Sequence, residues 1–297
     1  MDVSVIFVNY NTISLLKAAV DSVFEHTKNI QFEIIVVDNN SNDNSEIILK
    51  KHYGDKIRYM KLSENIGFGR ANNKGMEIAK GRNILFLNPD TILLNNALKF
   101  LSDFLDHNEN AGACGGNLYQ KDLSPNFSFM RATPGFLTEL NFLTKNFLFR
   151  VYFGKSYEFN FTEKPLKVAY VTGADMMVKA SVLKETGGFD PDFFMYYEET
   201  ELSNRINQKG YSIYSIPQAK IIHLEGGSFS CNVNGQERAL KSRRIYMQKK
   251  YKNKVLIYLI NINYFFICLM GMAWYFTKKD KEKVGFWKYS IKNFNSI

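Results

Sequence analysis

Short apolar runs alternate with amphipathic stretches along the first hundred residues of the chain. Residues 3–8 and 32–37 are almost wholly apolar and rich in β-branched side chains, as in strands that are covered on both faces. Residues 12–26 lie between them, and their apolar side chains recur at helical spacing. Further predicted elements are a helix that Ser41 or Asp43 caps and that runs to about residue 53, a strand at 57–62, a helix at 69–79, a strand at 84–87 and a helix at 95–105.

This order of elements predicts the fold class. Strands and helices that alternate through short connections form an α/β fold with a mostly parallel central sheet, flanked by helices and built with right-handed crossovers. Ligands bind such sheets at the carboxyl ends of the strands. The residues that directly follow each strand are therefore candidates for a binding site.

Polar side chains follow three of the predicted strands. Each is consistent with an ordinary turn or cap, but their repetition at one edge of the sheet favours a ligand site. No Gly-x-Gly-x-x-Gly follows the first strand and no Gly-x-x-x-x-Gly-Lys-Ser/Thr occurs, which excludes the usual dinucleotide and P-loop sites. Carboxylates that meet a diphosphate need a divalent cation between them. The residues are Asn9, Tyr10 and Asn11 after the first strand, Asp38, Asn39, Asn40, Ser41 and Asp43 after the second, and Asn88, Pro89, Asp90 and Thr91 after the fourth.

Two segments depart from this rhythm. Residues 127–161 contain nine phenylalanines among scattered basic residues. Residues 255–276 form a run of 22 residues without a charge, between two lysine-rich stretches. In the first segment, five apolar positions would line one face of a single helix: Phe136, Leu140, Leu143, Phe147 and Val151.

With 297 residues and 34.4 kDa, the chain fits one large domain or a domain with an appendage. Its 45% hydrophobic and 23% charged residues exclude a disordered chain. The net charge of +9 lies in the C-terminal part, because residues 241–297 contain 13 basic and two acidic residues whereas the first 240 contain 25 and 27. A protein that wraps nucleic acid would carry this excess on its main domain, so we expect no nucleic-acid partner.

The cysteines and the N-terminus indicate a cytoplasmic location. Cys114, Cys231 and Cys268 lie far apart in the sequence, which predicts reduced thiols and no zinc site. The apolar run at the N-terminus is about six residues long, too short for the hydrophobic region of a signal peptide.

Eight short motifs, in this order and spacing, resemble those of family 2 glycosyltransferases of the GT-A fold, particularly the rhamnosyltransferase-like bacterial members. Each motif is common by itself, but the ordered set spans residues 3 to about 230 and is highly specific. The resemblance implies a catalytic domain over residues 1–230, with an aromatic insertion on the acceptor side at about 127–161. The apolar and basic pattern of the remaining residues predicts a helical, membrane-associated region over 231–297. The motifs are Val8-Asn9-Tyr10-Asn11, Val37-Asp38-Asn39-Asn40-Ser41, Asn65-Ile66-Gly67-Phe68-Gly69-Arg70-Ala71-Asn72-Asn73-Lys74-Gly75, Leu87-Asn88-Pro89-Asp90, Thr172-Gly173-Ala174, Gly187-Gly188-Phe189-Asp190, Phe193-Phe194-Met195-Tyr196-Tyr197-Glu198-Glu199 and His223-Leu224-Glu225-Gly226-Gly227-Ser228.

The resemblance also implies roles for individual residues. Asp38 would accept the imide N–H of a uracil or thymine ring that packs on Tyr10, and Arg70 would pair with a phosphate. Asp90 and His223 would hold Mg²⁺ or Mn²⁺, which stabilises the leaving diphosphate as a Lewis acid; a turn residue is the alternative for the histidine. The predicted donor-binding residues are Asn9, Tyr10, Asn11, Asp38, Asn40, Gly67, Arg70, Asn73 and Asn88, and the acceptor-side residues are Gly173, Ala174, Asp175 and Glu198.

Three glutamates are crowded at the start of a predicted helix that runs to about residue 208. Sugar transfer with inversion needs one carboxylate beside the acceptor hydroxyl, and Glu199 is the predicted general base. Repulsion from Glu198 and Glu201 raises the pKa of at least one of the three, while the helix N-terminus favours the ionised forms. Carboxylates in a first turn are otherwise simple complements of the helix dipole, and Glu201 with Arg205 is predicted to be a structural pair.

Two positions depart from the pattern of the family. The usual Asp-x-Asp motif is Asn88-Pro89-Asp90 here, so that one carboxylate remains for the metal. The usual Glu-Asp pair is Glu198-Glu199, which moves the base by one methylene group.

The uncharged run 255–276 would span about 33 Å as a helix, close to the hydrocarbon thickness of a bilayer. Because both flanks are basic, neither crossing direction is favoured. We therefore expect a helix or hairpin in the cytoplasmic leaflet, held by anionic lipid, in a peripheral or monotopic protein. A true membrane span is the second interpretation, and burial against the catalytic domain or a partner chain is the third.

The sequence thus predicts a metal-dependent, inverting glycosyltransferase. It would move a sugar, with dTDP-rhamnose as the first candidate donor, from a nucleoside diphosphate to a lipid-linked or growing cell-surface glycan. A sugar-1-phosphate nucleotidyltransferase is one alternative, but it should have a loop rich in glycine and arginine after the first strand. The other is a non-catalytic sugar-nucleotide or glycan-binding protein, which would not need Asp90, Glu199 and His223 together.

Overall fold

The computed structural model describes residues 1–224 and 233–293, except for the side chains of residues 233 and 234. The predicted boundary at residues 230 and 231, the motif residues 225–228 and Cys231 lie outside this part. The predicted division into two regions therefore stays a prediction.

The first half of the chain forms the predicted alternation of strands and helices. Strand β1 lies between β2 and β4, and these strands pair in parallel, with Asn9 in register with Asp38. Predicted and observed boundaries differ by no more than a few residues. The elements are β1 Val3–Asn9, α1 Ile13–His26, β2 Phe32–Asp38, α2 Ser45–Tyr53, β3 Arg58–Lys61, α3 Phe68–Ile78, β4 Asn83–Leu87, β5 Thr91–Leu93 and α4 Ala97–His107.

The second half extends the same sheet with antiparallel strands. The strand order is β3-β2-β1-β4-β10-β6-β11-β5, with β8 paired to β11, and β7 and β9 form a separate small sheet. Strand β10 runs antiparallel to both β4 and β6, so the sheet is mixed and its continuous parallel part is β3-β2-β1-β4. The further elements are β6 Ala111–Tyr119, β7 Phe129–Met130, α5 Phe136–Leu143, α6 Phe147–Phe153, β8 Leu166–Val168, β9 Tyr170–Val171, β10 Asp175–Lys179, α7 Ala180–Thr186, α8 Glu198–Gln208 and β11 Ser212–His223.

Helices cover both faces of the sheet, which explains why the strands are apolar on both sides. Val5 and Phe7 of β1 pack with α1, α2 and α4, whereas Ile6 and Val8 pack with α3, α7 and α8. All seven residues of β1 are buried. The result is a three-layer α/β architecture with one core on each face of the sheet.

The aromatic segment forms two short helices, so the prediction of one helix through residues 136–151 is wrong. Helix α5 ends at Leu143, and α6 begins at Phe147. Between them, Lys145 and Asn146 have φ angles of 51° and 64°, which a continuing right-handed helix does not allow.

The C-terminal part forms three helices, α9 Val233–Lys250, α10 Lys254–Thr277 and α11 Lys281–Lys292. Helix α9 is fixed to the catalytic part by Ser242, whose hydroxyl donates to the Met195 carbonyl at 2.7 Å. Tyr246 and Met247 of α9 form a buried cluster with Phe193 and Ile260. Residues 255–276 thus form one continuous helix, α10, rather than a hairpin, and it packs against α5 and α11.

Candidate active site

The ends of β1 and β2 meet at one edge of the sheet, and Asn9 connects them. Asn9 is completely buried, and its amide nitrogen lies within 2.9 Å of side-chain oxygens of Asp38, Ser41 and Ser45. Its amide oxygen accepts from the backbone N–H and the hydroxyl of Thr12. The side chain of Asn9 is thus engaged inside the protein and positions Asp38, and a donor contact of Asn9 stays a prediction.

Asp38 and Tyr10 differ in accessibility. Asp38 is completely buried, and its carboxylate accepts from the Ser41 backbone N–H at 2.6 Å and from Asn9 at 2.8 Å. The Tyr10 side chain is 49% exposed at the same edge. The contact of Asp38 with a nucleobase stays a prediction, and Tyr10 offers the accessible aromatic surface.

Two asparagines shape the turns at this edge. Asn11 and Asn40 both have left-handed backbones, with φ angles of 57° and 68°. Asparagine tolerates this conformation better than most residues. The Asn11 side chain accepts from the Asn42 backbone N–H at 2.8 Å, so it joins the two turns. Any donor contact of Asn11 and Asn40 stays a prediction.

Asn39 is a residue of this site to which the sequence analysis assigned no role. Its amide group donates to Asn65 at 2.8 Å and accepts from the Ile66 backbone N–H at 3.0 Å. The loop that Asn39 holds continues into Gly67, which has a φ angle of 90°. A Cβ atom at this position would lie 2.4 Å from the carbonyl oxygen of Phe194. A glycine is therefore required at Gly67, and the loop lies directly against the segment that leads to α8.

The structure gives Asn73 and Arg70 contacts within the protein. The Asn73 side chain donates to the Phe189 carbonyl at 2.7 Å and accepts from the Phe189 N–H at 2.8 Å. Both ends of this amide bind Phe189, so Asn73 joins α3 to the turn before Asp190, and its donor contact stays a prediction. The Nε of Arg70 donates to the Pro191 carbonyl at 2.7 Å, and the side chain is otherwise exposed. Its pairing with phosphate stays a prediction.

Asp90 and His223 lie side by side at the same edge. Thr91 of β5 is in register with His223 of β11, and the Leu224 N–H donates to the Asp90 carbonyl at 2.9 Å. This pairing places His223 Nε2 3.4 Å from Asp90 Oδ1. That carboxylate oxygen is buried and has no hydrogen-bond partner among the described residues. That oxygen of Asp90 is therefore available to bind a positively charged group.

A short loop connects this pair with the glutamates of α8. The Asn88 N–H, two residues before Asp90, donates to the Ala174 carbonyl at 2.9 Å. A Cβ added at the neighbouring Gly173 would lie 3.7 Å from Cβ of Glu199. The loop through Gly173 and Ala174 thus contacts both the segment that precedes Asp90 and Glu199.

Asp175 lies inside the sheet, and its predicted place on the acceptor side stays a prediction. It is the first residue of β10, is completely buried and is in register with Leu87 of β4. Its Oδ2 accepts from the Gly116 N–H at 2.5 Å, whereas Oδ1 has no partner among the described residues. Burial raises the pKa of Asp175 to about 7, although the Gly116 N–H and nearby His223 oppose this shift.

Glu198 and Glu199 follow a strained turn. Tyr196 and Tyr197 have φ angles of 70° and 69°, a conformation that costs an aromatic residue about 1–3 kcal/mol and often occurs at functional sites. Glu198 is buried, and Cβ of Glu198 lies 3.5 Å from the position of a Cβ at Gly69. Glu199 is half-buried and accepts from the Thr200 hydroxyl at 2.8 Å.

The pKa values of both glutamates are shifted upwards. Burial raises the pKa of Glu199, and hydrogen bonds from Thr200 oppose the shift. The pKa of Glu198 is raised well above its usual value, first by burial and then by the charge of Glu199. Of the two, Glu199 is the more accessible and lies beside Gly173, which favours it over Glu198 as a group that meets a substrate.

Glu201 has a structural contact, as the sequence predicts. Its carboxylate lies 2.6 Å from the Arg205 guanidinium, one helical turn away. Arg205 also donates to the Gly188 carbonyl at 2.8 Å. This contact fixes the turn that precedes Phe189. The backbone of Phe189 then binds the side chain of Asn73 of α3.

A family model described as "Glycosyl transferase family 2" matches residues 4–186, more than half of the chain. The chain belongs to this family. It is 27% identical over 198 residues to dTDP-rhamnosyl transferase RfbF of Shigella flexneri, covering 65% of this chain and 60% of the relative. It is 24% identical over 210 residues to N-acetylglucosaminyl-diphospho-decaprenol L-rhamnosyltransferase of Mycobacterium tuberculosis, covering 66% and 67%.

A solved structure shows the same fold. The crystal structure of GalNAc-T7 with UDP, GalNAc and Mn²⁺ superposes with a TM-score of 0.56 at 17% identity, over 75% of this chain and 43% of that one. This likeness and the family match confirm the predicted GT-A fold. The chain spans 60% of RfbF and 12% of the minor teichoic acid biosynthesis protein GgaB of Bacillus subtilis.

The Asp90–His223 pair of this glycosyltransferase fits a divalent metal. An unpartnered, buried carboxylate oxygen beside an imidazole nitrogen is a combination that accepts Mg²⁺ or Mn²⁺. No group of three or more acidic, histidine or cysteine side chains with metal-binding geometry occurs in residues 1–224 and 233–293. A metal held by Asp90 and His223 would need further ligands from outside this pair, as expected where Asn88 replaces the first aspartate of the motif.

Proposed function

We propose that this family 2 member is an inverting glycosyltransferase. It moves a sugar, with rhamnose as the first candidate, from a nucleoside diphosphate to a hydroxyl of a lipid-linked or growing cell-surface glycan. The observation that carries the proposal is that one loop, Gly173–Ala174, contacts both Glu199 and the segment that leads to Asp90. The names of two relatives, both rhamnosyltransferases, support the choice of sugar.

In the proposed reaction, Glu199 takes the proton of the acceptor hydroxyl. The hydroxyl oxygen forms a bond to the anomeric carbon while the bond from that carbon to the diphosphate oxygen breaks. The electron pair of the broken bond leaves with the nucleoside diphosphate. Because burial raises the pKa of Glu199, its carboxylate is a stronger base than an exposed glutamate.

Asp90 and His223 would hold Mg²⁺ or Mn²⁺ together with the donor diphosphate. When bound, the cation supplies Lewis-acid stabilisation of the negative charge on the leaving group. A neighbour of the same fold was crystallised with UDP and Mn²⁺, which supports this choice of cofactor. Tyr10 would stack on the base of the donor, and the loop at Gly67 would lie beside its sugar.

We also propose that the protein works at the cytoplasmic face of the membrane as a peripheral or monotopic protein. Helix α10 is, among the described residues, the one helix long and apolar enough to cross a bilayer. Its packing favours an interfacial position instead. The Gln236 side chain of α9 donates to the Phe286 carbonyl and the Ser290 hydroxyl of α11, and Trp287 of α11 lies against Gly271 of α10. Because α9 is fixed to Met195 of the catalytic part, α11 stays on the catalytic side of any membrane.

The surface around α10 has the composition of a lipid contact. Exposed apolar side chains of α5 and α6 continue those of α10, and α5 packs directly against α10. Lysines border the surface, and Lys145 and Lys278 both lie 5.1 Å from the Trp274 ring. An apolar surface with a basic border binds anionic lipid. The exposed side chains include Leu137, Phe147, Val151 and Tyr152 of α5 and α6 and Val255, Tyr258, Phe266, Met270 and Trp274 of α10.

A screen of nucleotide sugars tests the proposed activity. Purified protein is incubated with each nucleotide sugar and a membrane extract as acceptor, and release of nucleoside diphosphate is measured with Mg²⁺, with Mn²⁺ and with EDTA. We expect release from one donor, which requires both the extract and a divalent ion. The absence of metal-dependent release from every donor would contradict the activity and favour a non-catalytic binding protein.

A further inference from the structure

A cavity of about 660 Å³ lies between the aromatic segment, β8 and β9, α8 and α9. Three basic residues, Arg131, Lys167 and Lys250, line it. None of the described residues that line it is an aspartate or a glutamate. The cavity is separate from the edge of the sheet where Asp38 and Asp90 lie.

Two of these basic groups are partly removed from water without a carboxylate partner. The Lys250 ammonium contacts the Thr133 hydroxyl and donates to the Pro134 carbonyl at 2.8 Å, and burial lowers the pKa of Lys250 to about 8. Arg131 stacks on the Phe153 ring at 4.7 Å, and burial lowers the pKa of Arg131. Neither forms a salt bridge with the described residues, although buried cations normally have an acidic partner.

Lys249, the residue before Lys250, has the acidic partners that Arg131 and Lys250 lack among the described residues. Lys249 places its amino group 2.5 Å from Asp190 and 2.6 Å from Asp192, so its charge is compensated within the protein. The charges of Arg131 and Lys250 are left for an anion from outside. Arginine and lysine side chains are the usual ligands of phosphate groups.

The cavity also connects the proposed membrane surface with the proposed base. Phe136 and Leu137 of α5 line it, and the Leu137 side chain is 67% exposed on the apolar surface. Asn204 and Asn207 of α8 line its other side. Asn204 follows Glu199 by five positions on one helix, which corresponds to about 7.5 Å along the helix axis. The cavity is therefore bounded by α5 of the apolar surface and by the helix that begins with Glu198 and Glu199.

We propose that this cavity binds a phosphate group carried by a lipid, namely the diphosphate of a lipid-linked acceptor. Arg131 and Lys250 bind the phosphate oxygens, and the hydrocarbon chain leaves over α5. The saccharide extends along α8 towards Glu199. The identification of the lipid as the acceptor rests on the proposed function, whereas the phosphate site itself does not. A membrane phospholipid is the other source of the same chemistry.

Calorimetry on the full chain in detergent tests the site, with farnesyl diphosphate as the probe and UDP at saturation so that the probe cannot occupy the donor site. We expect binding that Arg131→Gln and Lys250→Gln each weaken by at least about tenfold, since each removes a charged hydrogen-bond donor. Farnesol and inorganic diphosphate should bind more weakly than the probe. Lys249→Gln, the matched control, removes one charge from the same helix and should leave the affinity unchanged.

Several outcomes would overturn the proposal. The first is that the Arg131→Gln and Lys250→Gln variants keep the wild-type melting temperature and bind farnesyl diphosphate as tightly as the wild type. The second is that the wild type binds farnesol as tightly as farnesyl diphosphate. The third is that vesicles of phosphatidylglycerol displace the probe and vesicles of phosphatidylcholine do not. This result would assign the cavity to membrane phospholipid and overturn its assignment to the acceptor. Because binding is measured without turnover, a failure of the proposed activity would be seen separately, as an absence of nucleoside-diphosphate release by the wild type.

Discussion

The ion pair between Glu139 and Arg243 holds the C-terminal helices to the catalytic part, and its removal gives a prediction with a calculable size. Both side chains are buried, with 8% and 3% of their surface exposed. Arg243 donates to one oxygen of Glu139 through Nη2 at 2.8 Å and Nε at 3.2 Å. Its Nη1 donates to Asn261 of α10 at 2.8 Å, and its guanidinium lies 4.2 Å from the Tyr264 ring. One guanidinium thus connects α5, α9 and α10.

Glu139→Leu leaves this guanidinium buried without its counter-charge. Breaking a buried pair in this way costs about 3–5 kcal/mol, against a total stability of about 5–15 kcal/mol for a typical domain. The double variant Glu139→Leu/Arg243→Met removes both charges and fills the space with apolar atoms, so it should recover most of the loss. The pair therefore predicts a strongly non-additive double-mutant cycle.

Urea unfolding of the full chain, followed by circular dichroism in mild detergent, measures these free energies. Glu25→Leu, on the exposed face of α1, is the control and should change stability by less than about 0.5 kcal/mol. The reasoning would be refuted if Glu139→Leu were as mild as this control. A double variant that lost the full sum of the two single losses would also refute it.

The remaining predictions concern the sheet edge. Asp175→Asn should stabilise the folded protein at pH 8 by up to about 4 kcal/mol and should raise its melting temperature there. The reason is that the pKa of the Asp175 carboxyl is about 7 in the folded state and about 4 in the unfolded state, so this carboxyl lowers the stability of the protein as pH rises from about 4 to 7. The gain should vanish near pH 4; a gain of equal size at pH 4 and 8 would contradict it. Asp90→Asn should raise the Mn²⁺ concentration needed for half-maximal turnover about tenfold or more, and an unchanged requirement would count against Asp90 as a ligand.

The first half of the fold follows from the sequence because its signals are local. Strands covered on both faces need apolar runs, and the helices between them need apolar residues at helical spacing, so the elements from β1 to α4, apart from the short β5, were predicted to within a few residues. The break between α5 and α6 depends on two residues with left-handed backbones, and five correctly spaced apolar positions conceal it. The antiparallel β10 follows a long insertion, and no local pattern sets its direction.

Side-chain roles were harder to predict where the partner is distant in sequence. Asn73 belongs to the motif of the donor loop, but its partner Phe189 lies 116 positions away. Asn9 follows a predicted strand and Asp175 begins a strand that was not predicted, and at such positions the sequence alone does not tell whether a side chain points into the core or towards solvent. Asn39, next to Asp38 in the same motif, was noted only as a turn residue. The pairing of Glu201 with Arg205 was predictable because it lies within one helix.

The central claim is that Glu199 removes the acceptor proton while Asp90 and His223 serve the donor on the other side of the Gly173 loop. The most direct test is the turnover of Glu199→Gln, measured together with its calorimetric affinity for the donor. The account predicts a turnover about 100- to 10,000-fold below wild type with unchanged donor affinity, and partial recovery in Glu199→Asp. Turnover within about tenfold of wild type in a folded Glu199→Gln variant would contradict it.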